Sequence, residues 1–333
     1  MTVTRPVLRY HGGKWRLAPW VIEHFPYHKV YVEPFGGAAS VLMQKERAYA
    51  EVYNDLDGEI VNVFRVLRKP EQAERLAYLL AFTPYAREEF VLSYEPSDEP
   101  IEQARRTIVR SYMGYSSDAA TRTVKTGFKS DATGDRRRHF AKDFEEYARP
   151  MKTGFRTGSM KPNRHPSRDF VEFAGQHVTN LTWNGGEWLK QGGAVMIFCE
   201  RLSGVVIESI DALRVINKYD SPRTLFYCDP PYLHSTRDKS CAGRAYRHEM
   251  TDEDHRVLLD LLINCKGMVV LSGYRNDLYD YVLCGLYKWT GYERAAKGQA
   301  GKGNGSKNTV ECLWISPNAE KMLNPKLALY EGN

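Results

Sequence analysis

Two consecutive prolines placed directly after an apolar run constrain this chain more than any other feature. Thr224-Leu225-Phe226-Tyr227-Cys228 is short, apolar and rich in β-favouring residues, the pattern of a buried strand. Asp229-Pro230-Pro231-Tyr232 follows at once. Proline lacks a backbone donor and restricts the residue before it, so neither a helix nor a sheet ladder continues through the pair. The acid and the ring are thereby held at the carboxyl edge of a sheet, where open α/β folds bind their ligands. Two carbonyls without competing N–H groups, a carboxylate and a flat ring suit a planar amino group that is gripped and stacked. The same four residues would also serve as a strand-ending turn with a solvated Asp.

Earlier in the chain, Val30-Tyr31-Val32-Glu33 reads as a strand entering Pro34-Phe35-Gly36-Gly37-Ala38-Ala39-Ser40, with an apolar helix expected through Val41, Leu42 and Met43. Strand, glycine turn and helix is the layout of a nucleotide-binding first βα unit. The adjacent glycines depart from GxGxxG, and a turn with no pyrophosphate to cradle suits a nucleoside. Glu51-Val52-Tyr53-Asn54-Asp55 is a second strand ending in an acid. Asp55 follows Gly37 at nearly the spacing of about 20 residues at which a carboxylate holds ribose hydroxyls. Asp55, Asn54 or Asp57 would equally cap the helix expected over 56–67. Tyr10-His11-Gly12-Gly13-Lys14 precedes a helix-like stretch over 15–24; it lacks P-loop spacing and is weak evidence by itself.

The βα rhythm lapses from about Arg68 to Gly193. Helices are expected over 71–80, 87–92 and 101–113, the last carrying Arg105, Arg106 and Arg110. A basic stretch threaded with aromatics follows. Lys125-Thr126-Gly127-Phe128-Lys129 is echoed by Lys152-Thr153-Gly154-Phe155-Arg156, with Arg136-Arg137-Arg138 between them and Lys161 beyond. Cations and rings in a flexible segment suit a phosphate backbone, against the plainer reading of a solvated charged loop.

The rhythm then resumes with a strand over 204–208 ending at Ser209-Ile210-Asp211, a helix through Leu213 and Ile216, the strand over 224–228, a helix over 248–263 with Thr251 as its N-cap, and a strand over 267–271. Strands over 288–293 and 309–315 bracket a Gly/Lys-rich loop and predict an antiparallel hairpin at one sheet edge. The fold class expected is α/β, a mostly parallel sheet with helices on both faces.

At 333 residues the chain exceeds one typical core, so a large domain with an insertion, or two domains, is expected. No apolar run approaches the roughly 18–20 residues of a membrane span, and the first residues lack the apolar core of a signal peptide, which predicts a cytoplasmic protein with no membrane partner. The six scattered cysteines include no CxxC pair, which argues against a zinc ribbon or a disulfide framework. A net charge of +6 only hints at a polyanionic partner.

Taken together, Tyr10, Gly12, Gly13 and Lys14, then Glu33, Pro34, Phe35 and Gly37, then Asp229-Pro230-Pro231-Tyr232 resemble the DNA adenine methylase (Dam) family of S-adenosylmethionine-dependent methyltransferases. The resemblance covers residues 8–67 and about 204–316. It implies a Rossmann-like methyltransferase sheet formed by residues 1–67 and 194–320, a target-recognition insertion over 68–193, mainly helical and loop, and a tail over 321–333. It implies S-adenosylmethionine held by Tyr10, Gly13, Lys14, Glu33, Pro34, Phe35, Gly36, Gly37, Asn54, Asp55 and Asp211, the last beside the cofactor's adenine. It places Lys14 near the catalytic turn or the cofactor's polar end. It further implies double-stranded DNA as partner and N6 methylation of a flipped-out adenine by Asp229, Pro230, Pro231 and Tyr232. The basic, aromatic content of the insertion, and not the resemblance, assigns the DNA contacts to Arg110, Lys125, Lys129, Arg136, Arg137, Arg138, Lys152, Arg156 and Lys161. A phage or bacterial source, with or without a paired restriction enzyme, fits the family; the oligomeric state stays undetermined. The rivals are N4-cytosine methylation at the same turn, an RNA or protein amide substrate, and a DNA-binding regulator that has lost catalysis. No Pro-Cys dipeptide occurs, which disfavours methylation at cytosine C5.

Overall fold

The computed structural model describes residues 3, 6–115, 117, 119–121, 125–128, 194–236, 245–294 and 309–324. Seven strands form one sheet: β1 (Val30–Glu33), β2 (Ala50–Asn54), β3 (Val205–Glu208), β4 (Thr224–Cys228), β5 (Met268–Tyr274), β6 (Lys288–Arg294) and β7 (Thr309–Ile315). Their spatial order is β3-β2-β1-β4-β5-β7-β6. The first five are mutually parallel, and β7 and β6 are antiparallel at one edge, as expected from the sequence.

Strand alternation sorts the core into two layers. Tyr31, Tyr53, Leu225, Tyr227, Val270 and Leu313 face one side. There they meet α2 (Gly58–Leu67), α3 (Pro70–Ala81), α5 (Pro100–Met113) and α6 (Ala194–Leu202). Val32, Val52, Phe226, Val269, Leu271 and Trp314 face the other side, against α7 (Ala212–Tyr219), α8 (Asp252–Ile263) and α9 (Asp277–Leu283). The helix starts are written locally. Asp57 accepts from the N–H groups of Glu59 and Ile60 at α2, and Thr251 and Asp254 form a reciprocal capping box at α8. α1 (Ala18–Glu23), α4 (Arg87–Leu92) and α10 (Pro317–Leu323) complete the helices described.

Two expectations are corrected. The helix expected through Val41, Leu42 and Met43 is a run of turns over 40–44. The Leu42 N–H donates to Glu33 Oε1 at 2.7 Å, and Ala39 has φ of 53°, so a regular helical ladder does not start there. The boundary placed at residue 68 also fails to separate two bodies. Leu76 of α3, Phe90 of α4 and Ile108 of α5 share one buried cluster with Tyr31 of β1 and Phe64 of α2, so residues 70–113 belong to the main core. The helices α9 and α10 are not among those expected, although Asn276 caps the first and Ser316, followed by Pro317, caps the second. Both are short, with patterns that blend into their flanking strands.

Candidate active site

The strand order reverses between β1 and β4, which lie side by side, and their carboxyl ends open onto a cavity of about 460 Å³. The glycine turn lines one part of it, and Asp229, Pro230, Pro231 and Tyr232 line another. Tyr10, Gly13 and Lys14 from the N-terminal loop and Asp55 after β2 complete the set brought together from the sequence-expected residues.

On the β1 side the backbone is tightly specified. Gly37 has φ of 47°, and a Cβ there would come within 2.8 Å of the Tyr10 ring, so only glycine lets that ring cover the turn. The Gly37 N–H donates to Asp55 Oδ2 and the Asp57 N–H to Asp55 Oδ1, both at 2.8 Å. Each oxygen keeps lone-pair capacity for a ligand hydroxyl. Burial pushes the Asp55 carboxyl up to about 6, with the two backbone N–H groups opposing the rise. Glu33 is also buried, and its Oε1 accepts from the Tyr31 hydroxyl at 2.6 Å as well as from Leu42. Burial raises its pKa to about 7. Glu33 lines the cavity while bracing the turn that follows β1.

On the β4 side a charged cluster surrounds the double-proline turn. The Lys14 ammonium, 5 % exposed, lies 2.8 Å from Asp229 Oδ1 and 3.4 Å from Glu311 Oε1 on β7. Burial disfavours its charge, but the two carboxylates more than compensate and its pKa is raised. Burial likewise raises the Asp229 carboxyl, with Lys14 opposing and Glu311 reinforcing the rise. Lys14 Nζ also lies 4.8 Å from the Tyr232 ring centroid. The Tyr232 hydroxyl donates to Glu311, and its ring meets Tyr274 edge-on at 4.8 Å between centroids.

A third wall comes from residues 246–250. The Tyr246 hydroxyl donates to the His11 carbonyl at 3.2 Å. Arg247 is tied to Asp57 Oδ1 at 2.7 Å and to Glu59 Oε2 at 2.9 Å at the start of α2. This segment, Glu311 and Tyr274 escaped sequence reasoning. A lone acid within the apolar Val310-Glu311-Cys312-Leu313-Trp314 is the one signal that pointed to Glu311.

Three expected contacts are revised. Asn54 does not line the cavity: its side chain donates to the carbonyls of Pro34 and Ile210 and accepts from the Ile210 N–H, clamping the ends of β1, β2 and β3. Asp211 is exposed, caps α7 through the Arg214 N–H and stands outside the lining, while its neighbour Ala212 reaches it. Arg110 is 3 % exposed, paired with Glu59 and bonded to the Ser93 carbonyl at 3.2 Å, which makes it a core cation and not a phosphate contact. Arg105 and Arg106 are likewise engaged with Glu102. Lys125 is exposed, 3.6 Å from Glu95. Lys129, Arg136, Arg137, Arg138, Lys152, Arg156 and Lys161 lie outside the described residues.

A mostly parallel sheet with an antiparallel β7-β6 edge, bearing a nucleoside-sized cavity at its switch point and an acid-proline-proline-tyrosine turn, defines a Rossmann-like methyltransferase. Residues 10–155, somewhat less than half of the chain, match the model of the D12 class N6 adenine-specific DNA methyltransferases, and this match supports adenine-specific methylation of DNA. The match favours adenine over the N4 amine of cytosine. It spans the Tyr10–Lys14, Glu33–Gly37 and Asp55 stretches and ends before Asp229, whose place in the site is given by the geometry above. No curated protein matches the chain. Among the described residues no helix is long and apolar enough to cross a membrane.

Proposed function

We propose that the cavity binds S-adenosylmethionine against the glycine turn and receives a flipped-out adenine at the double-proline turn. The observation that carries this reading is a single cavity reaching from Gly37 and Asp55 to Asp229 and Tyr232. The donor set fits the cofactor. Tyr10 and Phe35 offer rings to its base, and Asp55 offers a buried carboxylate with spare lone pairs to its ribose hydroxyls. Gly13, Lys14, Glu33, Pro34, Gly36 and Gly37 supply the remaining wall.

When bound, the cofactor supplies an electrophilic sulfonium methyl; the chain supplies the rest. The adenine amino nitrogen is a poor nucleophile because its lone pair is delocalised into the ring. The Asp229 carboxylate and the Pro230 carbonyl accept its two N–H bonds, which favours pyramidalisation and frees the lone pair. Pro231 stiffens the turn that carries both acceptors. Asp229 takes the released proton, since the nitrogen becomes acidic only as it alkylates. Tyr232 stacks on the base and fixes its plane, and this alignment contributes much of the acceleration. A base in a duplex cannot reach such depth, so it leaves the stack. The basic residues Lys125, Lys129, Arg136, Arg137, Arg138, Lys152, Arg156 and Lys161 are assigned to the DNA backbone, on charge and aromatic content.

The test is expression in cells lacking their own DNA methylation, followed by mass spectrometry of digested DNA. N6-methyladenine is expected from the parent and none from Asp229→Ala, whose cofactor affinity stays within a few-fold. Full activity in Asp229→Ala would remove Asp229 from the mechanism.

A further inference from the structure

Glu311 stands on β7, far in sequence from every motif of the site, and is 4 % exposed. Its Oε1 gathers the Tyr232 hydroxyl, Ser272 Oγ at 3.4 Å and the Lys14 ammonium at 3.4 Å. Ser272 Oγ also lies 3.2 Å from the Tyr232 hydroxyl. A carboxylate buried among Leu313 and Ile315 of the same strand face adds little stability, because apolar side chains in place of buried charges are often neutral or better. Its partners suggest another reason for its presence.

We propose that Glu311 is a positioning residue for methyl transfer, holding the Tyr232 ring and the Lys14 ammonium where they act on the target base and on Asp229. The inference rests on the reading that Asp229 and Tyr232 carry the reaction. The phenol is tethered at its hydroxyl by Glu311 and braced at its ring by Tyr274, so the stacking plane is set before the base arrives. The ammonium is shared between two carboxylates. With Glu311 present, Asp229 carries only part of the cation and stays the better proton acceptor; without it, Lys14 commits to Asp229.

The charged and titratable groups around Asp229 are Lys14 from the N-terminal loop, Glu311 from β7, Tyr227 and Cys228 from β4, Tyr279 from α9 and Tyr232 from its own turn. Of these, Glu311 is the second anion and Lys14 the cation. Removing the anion and leaving the cation lowers the pKa of Asp229.

The experiment measures kcat, KM for S-adenosylmethionine and the pH dependence of kcat for the parent, Glu311→Gln and Glu311→Asp. Glu311→Gln keeps an acceptor for Tyr232 and loses the charge. It is expected to lower kcat about tenfold, leave cofactor KM within about twofold, and move the acid limb of the profile to lower pH. Glu311→Asp keeps the charge and is expected to recover part of kcat with the limb at the parent position. Parent kcat and an unmoved limb in Glu311→Gln would overturn the proposal. So would a loss of kcat that comes with lost cofactor binding and lowered Tm, the limb unmoved, because a structural role alone does that. A parent enzyme that leaves DNA unmethylated would defeat the underlying reading instead.

Discussion

The Lys14 ammonium lies 2.8 Å from Asp229 Oδ1 although the two residues are 215 positions apart in the chain. The contact joins the first glycine-containing loop to the double-proline turn and sets the charge of the proposed proton acceptor. Burial raises the Asp229 pKa, and Lys14 restrains that rise. Lys14→Met should therefore raise it further, so that activity is lost at a higher pH as the solution is acidified. The acid limb of kcat should move upward, opposite to Glu311→Gln, with kcat near neutral pH down by about tenfold. A limb that stays in place would show that Asp229 does not govern it.

Glu33 links the site to stability. Its folded pKa of about 7 exceeds the ordinary 4.5, so the folded state holds a proton that the unfolded chain has lost between these values. The stability it contributes is complete below about pH 4.5 and is lost as pH rises through 7. Glu33→Gln cannot ionise and should escape that loss, which at about 1.4 kcal/mol per pH unit is on the order of 3 kcal/mol. Urea unfolding at pH 5 and pH 8 checks it: the variant's gain on the parent should be several-fold larger at the higher pH.

Two sets of arginines should separate cleanly. Arg110→Met should cost about 2 kcal/mol of stability, because a buried guanidinium serving Glu59 and Ser93 is removed. The salt dependence of its DNA binding should not change. Replacing Arg136, Arg137 and Arg138 with Ala should instead reduce the slope of log affinity against log salt by up to about 3. Binding titrations at several salt concentrations, beside thermal melts, would reveal any exchange of these roles.

Arg247 closes one wall of the cavity by gripping Asp57 and Glu59. Arg247→Ala should release residues 246–250 from α2 and weaken S-adenosylmethionine binding about fivefold, while stability falls by only about 1 kcal/mol, as partly exposed ion pairs contribute little. Calorimetric titration of the cofactor decides this; an unchanged affinity would make the pair merely structural.

What the sequence determined by itself were features with local causes. Short apolar, β-favouring runs specified the strands, capping residues marked the starts of α2 and α8, and prolines or glycines marked the turns at the ends of β4 and β1. Those turns carry Gly37, Asp229 and Tyr232, and Asp55 ends β2, so local pattern marked all four as candidates while their roles came from the motifs taken together. The tertiary structure decided which polar groups are already engaged. Arg110 looks in sequence like any exposed cation, and only packing against α2 shows it paired; Asn54 looks like a ligand contact until β1 and β3 take its whole side chain. Glu311 and Arg247 joined the site because β7 inserts beside β5 and residues 246–250 return across the cavity. Hydrophobic periodicity reports which face of an element is buried, but an ion pair across distant elements depends on the register and path of both, which no local pattern encodes.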